Sequence, residues 1–88
     1  MLEEIKKIQG INHDDFDDMI NIWVASAKQD LINIGINEEL VDDATNPLIQ
    51  TTIIQFVLSQ LDVANTEMYF NSYTLLKDTL RRVQGYAI

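Results

Sequence analysis

His13 stands beside Asp14, Asp15, Asp17 and Asp18, the stretch where this chain comes nearest to a set of metal ligands. The spacing argues against that use. A calcium loop places oxygens at alternate positions, with a glycine at the turn and a glutamate at the far end, and this stretch has neither. Zinc sites draw on several His or Cys side chains, and the chain has one His and no Cys. The same acids have a simpler use at the start of a helix, where carboxylates face the positive end of the dipole. Other carboxylates fall on helix surfaces, and 88 residues leave little room for the cleft that a catalytic carboxylate pair needs. No Ser-His-Asp spacing, phosphate-binding glycine loop or dinucleotide fingerprint is present, and all three glycines sit at element ends. No catalytic residue, cofactor or metal site is therefore assigned. Arg81 and Arg82 have two readings of equal weight. They suit the negative end of a last helix. Together with Tyr86 and Ile88 they also form a candidate interface patch, since Arg and Tyr are favoured in interfaces.

The elements that position these residues are helical. Asn46-Pro47-Leu48 opens the stretch around which the rest is organised: Asn46 can cap, and Pro47 sits where a missing N–H costs nothing. Apolar residues follow at 48, 49, 53, 56, 57, 61 and 64, one helical face, with Ile54, Leu58 and Val63 beside or opposite it. The spacing predicts a central helix over 46–64, apolar around most of its circumference and so packed on more than one side. Before it, Leu2, Ile5 and Ile8 predict a short helix ended by Gly10. Phe16, Met19, Ile20, Trp23, Val24, Ala27, Leu31 and Ile34 predict a long one over 15–35, capped by Asn12 or His13-Asp14 and stopped by Gly35. Trp23 reads as core. The acidic linker 36–45 is anchored by Leu40 and Val41. After the central helix, 65–72 reads as a connection, Ser72 as the cap of a last helix bearing Tyr73, Leu76, Leu80 and Val83, and Gly85 as its stop. The tail Tyr86-Ala87-Ile88 is either packed back or offered to a partner. The expected fold is all-α: one domain over 1–88, a bundle of about four helices around 46–64.

A domain this small has a thin stability margin, and without cysteine no disulfide or zinc-thiolate staple supplements its core. Such cores are often completed by partner subunits. The start is charged and amphipathic, unlike a signal peptide, and no apolar run approaches the roughly 18 residues of a membrane span. A soluble, intracellular chain is the expectation. The net charge of −8 has a definite location: residues 10–45 hold nine acids and one base, while the stretches on either side are balanced. That distribution argues against wrapping DNA, where phosphates must meet Lys and Arg. It is compatible with standing beside DNA that must slide without sticking.

The order of these features carries a resemblance. An acidic Asp14-Asp15-x-Asp17-Asp18 opening, Gly35, Asn46-Pro47-Leu48, and Leu75-Leu76 followed by Leu80-Arg81 resemble the small head–tail connector, or DNA-packaging-like, proteins of long-tailed bacteriophages over roughly residues 2–83. Two positions depart. Many members carry Gln-Leu-Arg where this chain has Thr79-Leu80-Arg81, and a Tyr and an Arg where it has Leu61-Asp62-Val63-Ala64. The resemblance implies a non-enzymatic virion protein at the head–tail junction, assembled in the host cytoplasm. It implies a subunit of a ring, about twelve-fold, that binds the portal after DNA packaging. The ring would extend the DNA channel and dock the next connector or the tail, with a free protein that can be monomeric. Arg81, Arg82, Tyr86 and Ile88 would then meet the portal or sister subunits. Asp14, Asp15, Asp17, Asp18, Asp42 and Asp43 would form an acidic face toward the channel or a partner. DNA would pass without sequence-specific binding, and no membrane is involved. A competing reading is a small acidic helical adaptor or regulator, in the manner of a DNA mimic, holding a basic protein on the same acids.

Overall fold

In a computed structural model, residues 1–87 can be described. Local signals bound most of the helices. In α1 (Leu2–Gln9), Gly10 adopts the left-handed conformation, with φ 68°, and closes the helix. α2 (Asp17–Asn33) ends in the same way: Gly35, at φ 96°, lets its N–H reach the Ile32 carbonyl and the Ile36 N–H reach that of Leu31. This turn drops Ile36 into the core beside Leu31. Asn37 caps the single turn α3 (Glu38–Val41), its side chain accepting from the Glu39 N–H at 2.9 Å. Asn46 caps α4 (Pro47–Leu61) through the Ile49 N–H at 3.1 Å, with Pro47 in the first turn. A 3-10 turn (Val63–Asn65) then leads into α5 (Thr66–Arg82). Among the described residues there is no strand, only one antiparallel bridge joining Ile36 to Ala87.

α4 is the central element. α5 packs along it most extensively, α2 lies on another side and α1 on a third, as a helix apolar around most of its circumference requires. Ile49, Thr52, Ile53, Val57, Leu58 and Ser59 are its buried residues. Thr52 is fully buried, its hydroxyl donating to the Leu48 carbonyl at 2.7 Å. α2 and α5 both run antiparallel to α4, so the start of α2 and the α4–α5 turn share one end of the molecule. The core has two parts. The larger holds Ala27, Leu31, Ile36, Val41, Ile49, Ile53 and Leu80. The smaller holds Ile5, Ile20 and Val57, with Leu2, Trp23, Ile54 and Leu61 packed around it. Each Ile or Leu so buried stabilises the fold by about 1.5–3 kcal/mol.

Four expectations need correction. α2 begins at Asp17, and neither Asn12 nor His13-Asp14 caps it: Phe16 precedes the helix with no side-chain bond. The chain turns through 13–16 instead, because Asp14 is drawn to Lys6. α4 stops at Leu61, where Asp62, at ψ 85°, leaves helical geometry and its carboxylate receives the Asn65 side chain. The connection expected over 65–72 is helix almost throughout, and Ser72 lies inside α5. Tyr69, Tyr73, Leu76 and Leu80, four, three and four apart, form the inner face that extends α5 backwards. Phe16 and Met19, assigned to the inner face of α2, are each 43% exposed. The tail is packed back as far as Ala87.

Candidate interaction surfaces

The acids between Asp14 and Asp18 serve two purposes. Lys6 of α1, only 7% exposed, places its ammonium 2.9 Å from Asp14 and 2.9 Å from Asp17. Donating to the Asp14 carboxylate, and then the Asp17 carboxylate beside it, raises the Lys6 pKa, and the bond from Lys6 holds the Asp14 carboxyl below its usual range. These two acids tie α1 to the start of α2. Asp15 and Asp18 remain exposed. The Asp15 N–H donates to His13 Nδ1 at 3.3 Å, which commits that nitrogen within the turn. Among the described residues, no three His, Asp or Glu side chains converge as ligands.

Asp42 and Asp43 form a second group. Asp42 faces Lys28 of α2 at 3.4 Å. Asp43 accepts from the Thr45 hydroxyl at 2.6 Å and the Thr45 N–H at 2.9 Å, and these bonds lower its pKa. Lys28 lies about 15 Å along α2 from Asp18. The six candidate acids are therefore two clusters toward opposite ends of one helix.

The basic candidates also divide. Arg81 and Arg82 are exposed at the end of α5. Arg82 pairs with Asp78 one turn back, and Arg81 lines a depression with Ile34, Thr74, Leu75, Lys77 and Asp78. Tyr86 is half-buried and belongs to the fold's own contacts. Its hydroxyl accepts from the Asn46 side chain at 2.8 Å, and its carbonyl accepts from the Asn37 N–H at 2.7 Å. Ile88 lies outside the described residues.

Beneath the depression is a polar group that sequence spacing did not single out. The Tyr73 hydroxyl donates to Asp30 Oδ2 at 2.6 Å, and the Lys77 ammonium donates to the same oxygen at 2.9 Å. That ammonium also stands 4.7 Å from the Tyr73 ring centroid. Burial, then the neighbouring Asp30 carboxylate, pushes the Tyr73 hydroxyl above its ordinary range. Burial alone would raise Asp30, but the bonds from Tyr73 and Lys77 outweigh it and hold the carboxyl low. Tyr73 and Lys77 are one helical turn apart, which was legible. Asp30, more than 40 residues away, was not.

Apolar side chains are exposed toward the end where α2 starts: Ile8, Phe16 and Met19 there, and Val63 and Met68 at the α4–α5 turn. No helix is long and apolar enough to cross a membrane, among the described residues.

Taken together these features define a small all-α protein with exposed charged and apolar patches on its outer surface. The chain belongs to the phage connector proteins: the model of that family matches residues 1–81. It is thus a phage connector-type structural protein. No curated protein and no solved structure matched the chain.

Proposed function

We propose that this protein is a non-enzymatic adaptor at the head–tail junction of a long-tailed phage virion. It binds the portal protein once DNA is packaged, joins sister copies in a ring, extends the DNA channel, and presents the surface on which the next connector or the tail docks. Assembly takes place in the host cytoplasm. The observation that carries this reading is the family match across 1–81, which includes every helix except the last residue of α5. The acidic surface supports a place beside the channel, because exposed Asp15, Asp18, Glu38 and Glu39 repel phosphate. Arg81 and Arg82, exposed on α5, are proposed contacts to the portal or to sister subunits.

The adaptor alternative needs one continuous anionic face. Asp14, Asp17, Asp30 and Asp42 already hold Lys6, Lys77 and Lys28, and Asp43 holds Thr45, so much of the acidic charge is spent inside the fold. The test is to mix the protein with DNA-filled, tailless heads and image them by electron microscopy. The expected result is ring density at the portal vertex, absent when Arg81→Glu and Arg82→Glu are combined in a chain that stays helical. Unchanged vertices with the wild-type chain would refute the reading.

A further inference from the structure

The depression on α5 and the start of α2 are complementary in two respects. The depression, of about 380 Å³, lies between the end of α2 and the C-terminal half of α5. Ile34 and Leu75 make it apolar, and Leu75 is 69% exposed, the second most exposed large apolar side chain among the described residues. Arg81 makes its rim cationic, since Lys77 is held by Asp30 and the one acid, Asp78, is engaged by Arg82. Arg81 has no ion-pair partner among the described residues. On a chain of net charge −8, this is a local reversal of sign.

The start of α2 has the opposite character. Phe16 and Met19 are each 43% exposed and interleave with Asp15 and Asp18. Neither acid has a Lys or Arg partner among the described residues. Two apolar tips are thus flanked by carboxylates without a Lys or Arg partner, as the depression is an apolar floor beside the unpaired Arg81. One chain cannot bring them together itself: Phe16 and Ile34 are separated by about 27 Å of rigid helix. A second copy can.

We propose that the start of α2 of one subunit docks into the α5 depression of the next. Phe16 and Met19 cover Ile34 and Leu75, and Asp15 and Asp18 face Arg81. The contact joins unlike surfaces at opposite ends of α2, so it repeats from subunit to subunit and closes into a ring when the rotation allows. It would bury apolar surface that each subunit leaves wet and pair charges that each leaves single. For the place where the contact forms, the inference rests on the connector reading.

A chain without cysteine permits a direct test. A chain carrying both Met19→Cys and Leu75→Cys is bound to DNA-filled heads, oxidised and run on a non-reducing gel. The expected result is a ladder rising past two chains. Bound protein that stays monomeric on oxidation, or a single band at two chains, overturns the contact and leaves the connector reading standing. Should the cysteine chain fail to join heads that the wild-type chain joins, a charge exchange decides alone. Arg81→Glu should lower the bound amount at least tenfold, and adding Asp15→Lys with Asp18→Lys should restore it. No restoration, with all variants helical by circular dichroism, overturns the proposal. A wild-type chain that never joins heads defeats the connector reading and this inference together.

Discussion

At the end of the bundle where α2 finishes, seven fully buried side chains pack together, and polar bonds fasten the tail over them: Asn46 to Tyr86, Asn37 to the Tyr86 carbonyl, Ile36 to Ala87. At the end where α2 starts, three fully buried side chains form the core, one ammonium holds α1 in place, and Phe16, Met19, Val63 and Met68 meet solvent. The same chain thus builds a finished end and an unfinished one. The unfinished end also carries Asp15 and Asp18, which have no Lys or Arg partner among the described residues. A surface kept apolar and charged at once is poorly suited to an isolated monomer and well suited to one awaiting a neighbour.

The comparison breaks most visibly under matched core truncations. Ile53→Ala in the larger core should cost about 3–5 kcal/mol and Ile20→Ala in the smaller about 2–3, because a smaller cluster collapses more readily around the space left. For a domain of this size each kcal/mol lowers Tm by about 4–8 °C, so thermal melts followed by circular dichroism separate the two. Equal losses would mean that the ends are equally packed.

A smaller effect sharpens the account of the finished end. Asn46→Ala removes both the α4 cap and the partner of the Tyr86 hydroxyl, with an expected loss of about 1–2 kcal/mol in urea unfolding. Tyr86→Phe, which keeps the cap and loses only the tie, should cost about 0.5–1 kcal/mol. If the two were equal, the cap would contribute nothing.

An effect of similar size concerns protons. Tyr73 and Lys6 bind theirs more tightly when folded, so the stability they contribute is complete below about pH 10 and fades as the pH rises beyond it. Asp14, Asp30 and Asp43 are held low, so theirs is complete above about pH 4 and fades as the pH falls. Tyr73→Phe should cost about 1 kcal/mol at neutral pH, flatten the alkaline limb and weaken the Asp30 share of the acid limb, while Asp14 and Asp43 keep theirs. Melting curves across pH 3–11 would show this, and an unchanged alkaline limb would remove Tyr73 from the account.

What could be read before any coordinates were known follows from how local each signal is. Gly10, Gly35 and the Asn46-Pro47 pair act within a few residues of themselves, and the boundaries they set were legible. The periodicity of α2 gave its length, but its start was misplaced because Asp14 answers to Lys6, eight residues back on another helix. α5 was entered too late because it opens without a side-chain cap, and the run Met68-Tyr69-Phe70 hides its period. The division of the acids into two clusters, and the hold of Asp30 on Tyr73 and Lys77, depend on helices that meet only after folding.

The fastening of the tail also bears on time. Asn46 and Tyr86 are 40 residues apart in sequence, whereas α4 and α5 are joined by a short turn and can pair early. Closing so long a loop must be met entropically before its bonds return anything, so the tail is expected to settle after the main folding barrier. Contacts made that late scarcely alter how fast a chain folds; they govern how fast it opens. The Tyr86 tie therefore works as a latch on the unfolding rate, setting how long a folded chain survives between openings.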